Sequence, residues 1–337
     1  MKNIGYLCVL LSLVIGCTDS KHYHNYEFDV VEKISTANIP INDSIFMKYP
    51  FRLAKNDSLL FILDLHAADR FVHVFNNNGS VYHNSLFKVG NGPDEFISIS
   101  NIQLEGDSLY VFDSRNEIFV YHVDDLFRGV ESPRRIKLTT DFGFLSRGLK
   151  LGDNFYFPVF NATNDKRILE FNNSGELIDS FGKIELSDRR TPIESATYQA
   201  WMPFLGGSDG VLVAATQFGD VVEIYNNQKQ TTIKGEFGDP IFKNHKGFAI
   251  HEGIHGFQDV VVRNGYIYAM FKGVSMQDEQ ETEHGGNIIY VFDYDGTPKR
   301  KLLLDRRFIT IYMDTDGSFL ALDVNSNTPL YRFDIPE

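Results

Sequence analysis

The sequence predicts an all-β fold: a six-bladed β-propeller of four-stranded antiparallel blades, its ring closed by an N-terminal strand that completes the last blade. Three observations predict it. A polar turn followed by an apolar strand recurs six times, beginning at Asp57, Asp107, Asp153, Asp209, Asn264 and Asp316, with starts 50, 46, 56, 55 and 52 residues apart. That spacing suits a four-stranded blade, and six copies suit a propeller. Short strands of alternating apolar and aromatic residues also run straight into Asn-, Asp- and Gly-rich turns, as in NIIYVFDYDG at 287–296, FVHVFNNNG at 71–79 and ILEFNNSG at 168–175. Finally, the chain carries 29 Phe and 16 Tyr in 337 residues without a long helical pattern after its start, as expected where pleated surfaces pack face to face.

Residues 1–16 read as a targeting segment, with Lys2 as its positive charge and an apolar run over 4–15 that is too short to span a bilayer. The segment ends Val14-Ile15-Gly16-Cys17, the pattern of a bacterial lipobox. There a small residue precedes a Cys that is acylated on sulfur and becomes the new N-terminus. A plain signal peptide that happens to contain a Cys is the alternative. The lipobox reading makes Cys17 the lipid attachment site and the protein exported and anchored in the cell envelope, at the outer membrane, facing the periplasm or the surface. Membrane contact is then through the N-terminal lipid alone. Cleavage removes Cys8, so the remaining cysteine has no partner for a disulfide and stability must come from packing. Residues 17–26, polar and containing His22 and His24, read as a tether, and 27–337 as one propeller domain.

Within the repeats, the fifth copy assigns most clearly: DVVVRN (259–264) is the inner strand a, YIYAMFKG strand b, NIIYVFD strand c and PKRKLLL (298–304) the outer strand d. Tight turns rich in Gly and Asn join a to b and c to d, because such residues tolerate the positive φ that short hairpins need. The sixth copy stops at Ile335, after its strand c. The alternating segment 27–34, EFDVVEKI, is the spare strand predicted to complete it and close the ring.

The net charge of -13, from 32 Lys+Arg against 45 Asp+Glu, is spread along the chain, which argues against nucleic acid or an anionic membrane surface as a partner of the body. The b–c connections 161–167 and 273–286 and the d–a connections 187–198 and 239–257 are long, and in a propeller these emerge on one face. Insertions gathered on one face of a repeat protein mark its binding face. Candidate residues on it are His66, Arg70, Arg115, Arg147, Tyr198, Trp201, His255 and Arg307, with Trp201 either a stacking platform or core.

His251-Glu252-Gly253-Ile254-His255 matches H-E-x-x-H, in which two His one helical turn apart hold zinc. Gly247, Gly253 and Gly256 crowd the segment and a strand begins at 259, so the helix this chemistry needs is not expected. His245, His251 and His255 therefore remain secondary metal candidates, and no cofactor is assigned. Asp64, Asp113 and Asp323 each end a strand b, where they either line the axis or cap the next turn. Residues 90–96, GNGPDEF, lack the Lys-Ser/Thr of a phosphate loop and read as a blade-to-blade crossing.

The lipobox, the GNGPDEF stretch and the segment NIIYVFDYDGTPKRKLLLD together resemble the TolB-like six-bladed β-propeller lipoproteins of Gram-negative gut anaerobes, over essentially the whole mature chain. The G-x-G-P-x-E-F element is also similar to NHL-type repeats. The likeness to TolB, which binds envelope proteins through its propeller, implies a non-catalytic binding or scaffold module whose loop-rich face engages an envelope protein or a glycan. The alternative is a propeller enzyme, a hydrolase or lyase acting on a polysaccharide or peptide with channel carboxylates or His251 and His255 as its chemistry. Two titratable groups within hydrogen-bonding reach in a pocket would distinguish it. The sequence leaves the oligomeric state open.

Overall fold

The computed structural model describes residues 23–24, 26–128, 132–162, 165–241, 253–278 and 282–336. Three short strands come first: β1 (Tyr23–His24), β2 (Val30–Ile34) and β3 (Ala37–Asn38). Blade 1 follows as β4 (Pro50–Lys55), β5 (Leu59–Asp64), β6 (Arg70–Asn76) and β7 (Tyr82–Lys88). Blade 2 is β8 (Ile99–Glu105), β9 (Ser108–Asp113), β10 (Glu117–His122) and β11 (Arg134–Lys137), with the short helix α1 (Val123–Arg128) before its last strand. Blade 3 is β12 (Leu149–Leu151), β13 (Asn154–Pro158), β14 (Ile168–Phe171) and β15 (Leu177–Phe181). Helix α2 (Ser195–Ala200) leads into blade 4, which is β16 (Pro203–Ser208), β17 (Val211–Thr216), β18 (Val221–Asn226) and β19 (Lys229–Lys234). Blade 5 is β20 (Ile254–Arg263), β21 (Tyr266–Ser275), β22 (Gly286–Asp293) and β23 (Pro298–Phe308). Blade 6 is β24 (Thr310–Met313), β25 (Phe319–Leu322) and β26 (Leu330–Phe333), completed by β3.

Each blade is an antiparallel meander whose first strand is innermost, and β4, β8, β12, β16, β20 and β24 touch one another in turn around the axis. The repeat predicted from the turn spacing is the blade that forms. The turns explain why. Asp209-Gly210 and Asn264-Gly265 both adopt positive φ, as a two-residue hairpin turn requires. In the turn at Asn172 the backbones of Asn172 and Glu176 pair at 3.0 Å while the Asn172 carboxamide accepts the Ser174 and Glu176 amides. Asp293 and Thr297 repeat the backbone pairing and the amide cap in blade 5.

Strand alternation sends one row of side chains to each neighbouring blade. The buried residues accordingly fall into six clusters among the described residues, one at each interface between blades. Phe61, Val74 and Phe119 lie between blades 1 and 2, Ile224, Phe257 and Phe292 between 4 and 5, and Leu60, Leu322 and Leu330 between 6 and 1. Aromatic rings meet edge to face across these seams, as Phe112 does with Phe155 at 6.3 Å and Phe181 with Tyr225 at 5.4 Å.

An N-terminal strand does complete the last blade, but it is β3 rather than segment 27–34. Ala37 and Asn38 pair with Arg332 and Tyr331, and Asn38 reaches the Thr328 and Leu330 carbonyls through its carboxamide. Segment 27–34 lies one blade earlier, where β2 adds a fifth, parallel strand to blade 5 outside β23. Its alternation is real, but alternation does not say which edge a strand covers. Side chains decide: Glu32 receives two bonds from the Arg300 guanidinium, at 2.8 and 2.7 Å, and Ile34 is buried in the seam between blades 5 and 6. The ordered body also begins before residue 27. β1 pairs in parallel with β19 on the edge of blade 4, and Tyr26 donates to buried Asp220 while its ring packs 5.1 Å from Phe292.

Candidate functional site

Because a–b and c–d turns share one end of every blade, the b–c and d–a connections share the other. The d–a connections 182–202 and 235–253 and the b–c connections 159–167 and 276–285 are long on that face, whereas the opposite face carries tight turns. The exception is the c–d connection of blade 2, 123–133, which contains α1. Five exposed apolar side chains, Phe46, Ile97, Phe144, Ile193 and Phe237, each sit in a different d–a connection, while Val81, Phe127 and Tyr266 are exposed toward the opposite face and Val30, Val31, Leu177 and Ile178 on outer strands.

The predicted site residues do not converge there. Trp201 is 0 % exposed and Tyr198 is buried beside it at the end of α2, so both belong to the core rather than to a stacking platform. Their amphipathic α2 segment turns inward over the seam between blades 2 and 3, which the lone-Trp signal could not show. Arg115 is held by Asp113 at 2.8 Å and by the Glu95 carbonyl. Arg307 is half-buried and donates to the Gly285 carbonyl, and burial lowers its pKa. His66 is exposed, its ring 4.9 Å from that of Tyr49. Asp64, Asp113 and Asp323 cap the turns that follow them, accepting from the amides of His66, Arg115 and Asn325. Burial would raise the Asp64 pKa, but His73 and the amides of Lys48, Tyr49 and His66 outweigh it and hold the carboxyl below its ordinary range.

Of the H-E-x-x-H motif, His251 and Glu252 lie outside the described residues, as does His245. His255 is buried in strand β20 opposite Val274, with its ring 5.6 Å from Phe218. A strand at 254–263 is incompatible with the helical turn that would bring two motif histidines together. Among the described residues no three His, Cys, Asp or Glu side chains gather as a metal site would require.

Arg70 lines a lateral cavity of about 300 Å³ between blades 1 and 2, over a floor of Phe87, Phe96 and Phe119. Its other cations already have carboxylates: Lys88 pairs with Glu95 at 2.7 Å and Arg135 with Asp94 at 3.2 Å. Glu95 also accepts the Gly92 amide, and a Cβ on Gly90 would collide with it. The GNGPDEF loop is thus folded around its own carboxylate, which disposes of a phosphate cradle.

Arg147 is the predicted residue that reaches the axis. It precedes β12 with a φ of 55°, a left-handed conformation uncommon for a non-glycine residue. Its guanidinium lies 4.1 Å from the centre of the Phe204 ring and donates to the Pro203 carbonyl and the Gln217 carboxamide. Over the same ring, at 5.1 Å, sits Arg52 from the opposite side of the ring of blades. A register shift between Pro50 and Arg52 in β4 re-aims that side chain. Arg52 is stacked 4.1 Å from its neighbour Phe51, and Asp259 stands 3.8 Å from it. Burial, and then the charge of Arg52, pull the Arg147 pKa down to about 9; burial likewise lowers that of Arg52 against the opposing pull of Asp259. At that value Arg147 remains charged at neutral pH, and an arginine such as Arg52 keeps its charge in a protein. Arg52, Phe204, Gln217 and Asp259 were missed as site residues because they are spread over blades 1, 4 and 5. An Arg set among the apolar residues of the inner strand PFRLAK, ahead of its terminal Lys55, was the available signal.

The TolB-like 6-blade propeller-like family matches residues 28–316. No curated protein sequence matches the chain. Among solved structures, a protein of Bacteroides fragilis described as exported superposes with a TM-score of 0.58 at 14% identity, over 94% of this chain and 99% of that one. A luciferin-regenerating enzyme superposes with a TM-score of 0.52 at 10% identity, over 89% of this chain and 95% of its own. At these identities the likeness is one of fold. The six-bladed ring and a family match spanning five and a half blades lead to one conclusion: the chain belongs to the TolB-like six-bladed propeller family.

Proposed function

We propose that the protein is an exported lipoprotein, anchored through Cys17 at the outer membrane, that acts as a non-catalytic binding or scaffold module of the cell envelope. Its loop-bearing propeller face engages an envelope protein or glycan. The observation that carries this reading is the set of exposed apolar side chains Phe46, Ile97, Phe144, Ile193 and Phe237, one from each of five d–a connections on a single face. Exposed apolar side chains carried on the loops of one face are a cost in water that a partner spanning those loops relieves. The family and the exported structural relative support export, and the Val14-Ile15-Gly16-Cys17 sequence supports the lipid.

Two measurements test it. Incorporation of a fatty-acid probe should disappear in Cys17→Ala; labelling that persists would refute the anchor. Photo-crosslinkers placed at Phe144 and Ile193 should capture an envelope component in cells, whereas those at Val81 and Tyr266, on the opposite face, should not. Equal capture from both faces, or none from either, removes the loop-bearing face as the docking surface.

A further inference from the structure

We propose that the mouth of the propeller axis binds a uronate unit of an acidic oligosaccharide, its carboxylate held between Arg52 and Arg147 and its ring against the aromatic side chains beside them. This names a ligand class for the binding face and rests on that reading. Two guanidinium groups, from blades 1 and 3, lie 5.1 and 4.1 Å from the centre of one ring from blade 4. Among the described residues the carboxylate paired with either is Asp259, 3.8 Å from Arg52 and beyond hydrogen-bond range. Asp259 is itself committed to the Thr310 hydroxyl and to the Val260 and Ile311 amides.

Two positive charges against one negative leave this group of side chains with a net positive charge. Arg52 is only 13% exposed, so an incoming anion is attracted through a medium less screening than bulk water. The guanidinium fork matches a planar carboxylate through two parallel N–H···O bonds. Arg147 directs donors to Pro203 and Gln217, and a guanidinium carries about five, so donors remain for a ligand. Phe204 beneath it and Gln217 beside it hold the fork in place before anything binds.

From this pair a row of rings leads outward. Phe51 stacks on Arg52, Tyr49 lies 6.3 Å from Phe51, and His66 and His284 flank Tyr49 at 4.9 and 6.5 Å. A small inorganic anion would use the arginines and leave these rings idle. A sugar acid uses both, with a carboxylate for the forks and an apolar ring face for the aromatics.

Calorimetric titration of the purified protein with trigalacturonate, its neutral galactose counterpart, a sulfated trisaccharide and an acidic tripeptide tests the assignment. Trigalacturonate should bind, and the other three should bind much more weakly or not at all. Arg52→Gln and Arg147→Gln should each weaken it by about tenfold or more, the loss of a charge-assisted hydrogen bond. Arg147→Gln also removes one of two like charges, so the unliganded variant should melt no lower than wild type. Should it melt lower, Gln217→Ala carries the test, since it keeps both charges but releases the fork. Weaker uronate binding at unchanged melting supports the proposal, and unchanged binding opposes it. Equal affinity for the acidic and neutral sugars, a preference for the sulfate or the peptide, or no binding of any probe overturns it. If no sugar binds while the crosslinkers at Phe144 and Ile193 still capture a partner, the ligand class falls and the binding-module reading stands.

Discussion

Two buried acids show how single residues set the stability of this ring. Asp220 is buried where the N-terminal segment meets blades 4 and 5, and it accepts a hydrogen bond from Tyr26. Burial raises its pKa from 3.8 to about 6, more than the Tyr26 bond lowers it. The folded state therefore holds this proton more tightly than the unfolded chain. The stabilisation is complete below the ordinary value and is lost as pH rises through about 6. Between about pH 5 and pH 7.5 the loss amounts to about 1 kcal/mol. Asp220→Asn has no proton to lose, so its melting temperature should gain on that of wild type across this range. A difference between the two that stays constant with pH would show that Asp220 titrates normally. Arg167 and Glu223 form the second case, an ion pair at 2.9 Å between blades 3 and 4 with both side chains fully buried. Burial raises the Glu223 pKa against the pull of Arg167. Removing one partner strands the other charge, so Glu223→Leu alone should cost about 3–5 kcal/mol. The double change Arg167→Met with Glu223→Leu should recover most of that loss in chemical denaturation. Equal destabilisation of the single and double variants would mean that the pair is not what holds this seam.

At the scale of the element, what could be read from the chain and what could not separate cleanly. Strands b and c were legible because both their faces are buried between blades and their ends carry the Asn-Gly and Asp-Gly turns that only a few backbone conformations allow. LLFILD, LYVFD and VLVAAT became β5, β9 and β17 with the predicted starts within one residue. The edge that an isolated strand joins was not legible, since period-two alternation is the same for any neighbour. Segment 27–34 was accordingly placed on blade 6 when it lies on blade 5. The site fared worse than the fold for a related reason. Trp201 and Tyr198 look like binding residues by composition and are core by position, while Arg52, Phe204 and Asp259 acquire meaning only when blades 1, 4 and 5 are brought around one axis. Local pattern specifies a blade, and closure of the ring specifies the site.

For the whole molecule, the N-terminal segment acts as a strap along the outer edges of half the ring. It runs parallel to the edge of blade 4 as β1 and to that of blade 5 as β2, then turns antiparallel to complete blade 6 as β3. Just beyond β3 the Ile39 amide still bonds to Leu330 of blade 6, and the chain then reaches blade 1, where the Asn42 amide bonds to Gly79. Gly79 has a φ of 77°, and a Cβ there would collide with Ile41, so this last crossing needs glycine. The two parts of the strap should contribute differently. Removing residues 23–34 takes away an added strand from blade 5 and the Tyr26 and Arg300 contacts, but it leaves every blade with four strands. That variant should melt at a lower temperature in a single transition. Removing residues 23–38 also leaves blade 6 with three strands and the seam between first and last blades open, since β3 is what ties β26 to the other end of the chain. Propeller blades stabilise one another through their seams, so an open seam lets the terminal blades fray before the rest. The longer deletion should therefore lose coincidence between its spectroscopic probes and show fast hydrogen exchange at the Arg332 amide, which faces β3, while the shorter one keeps it protected. Matching exchange in the two variants would place closure in the side-chain packing of blades 6 and 1 rather than in β3.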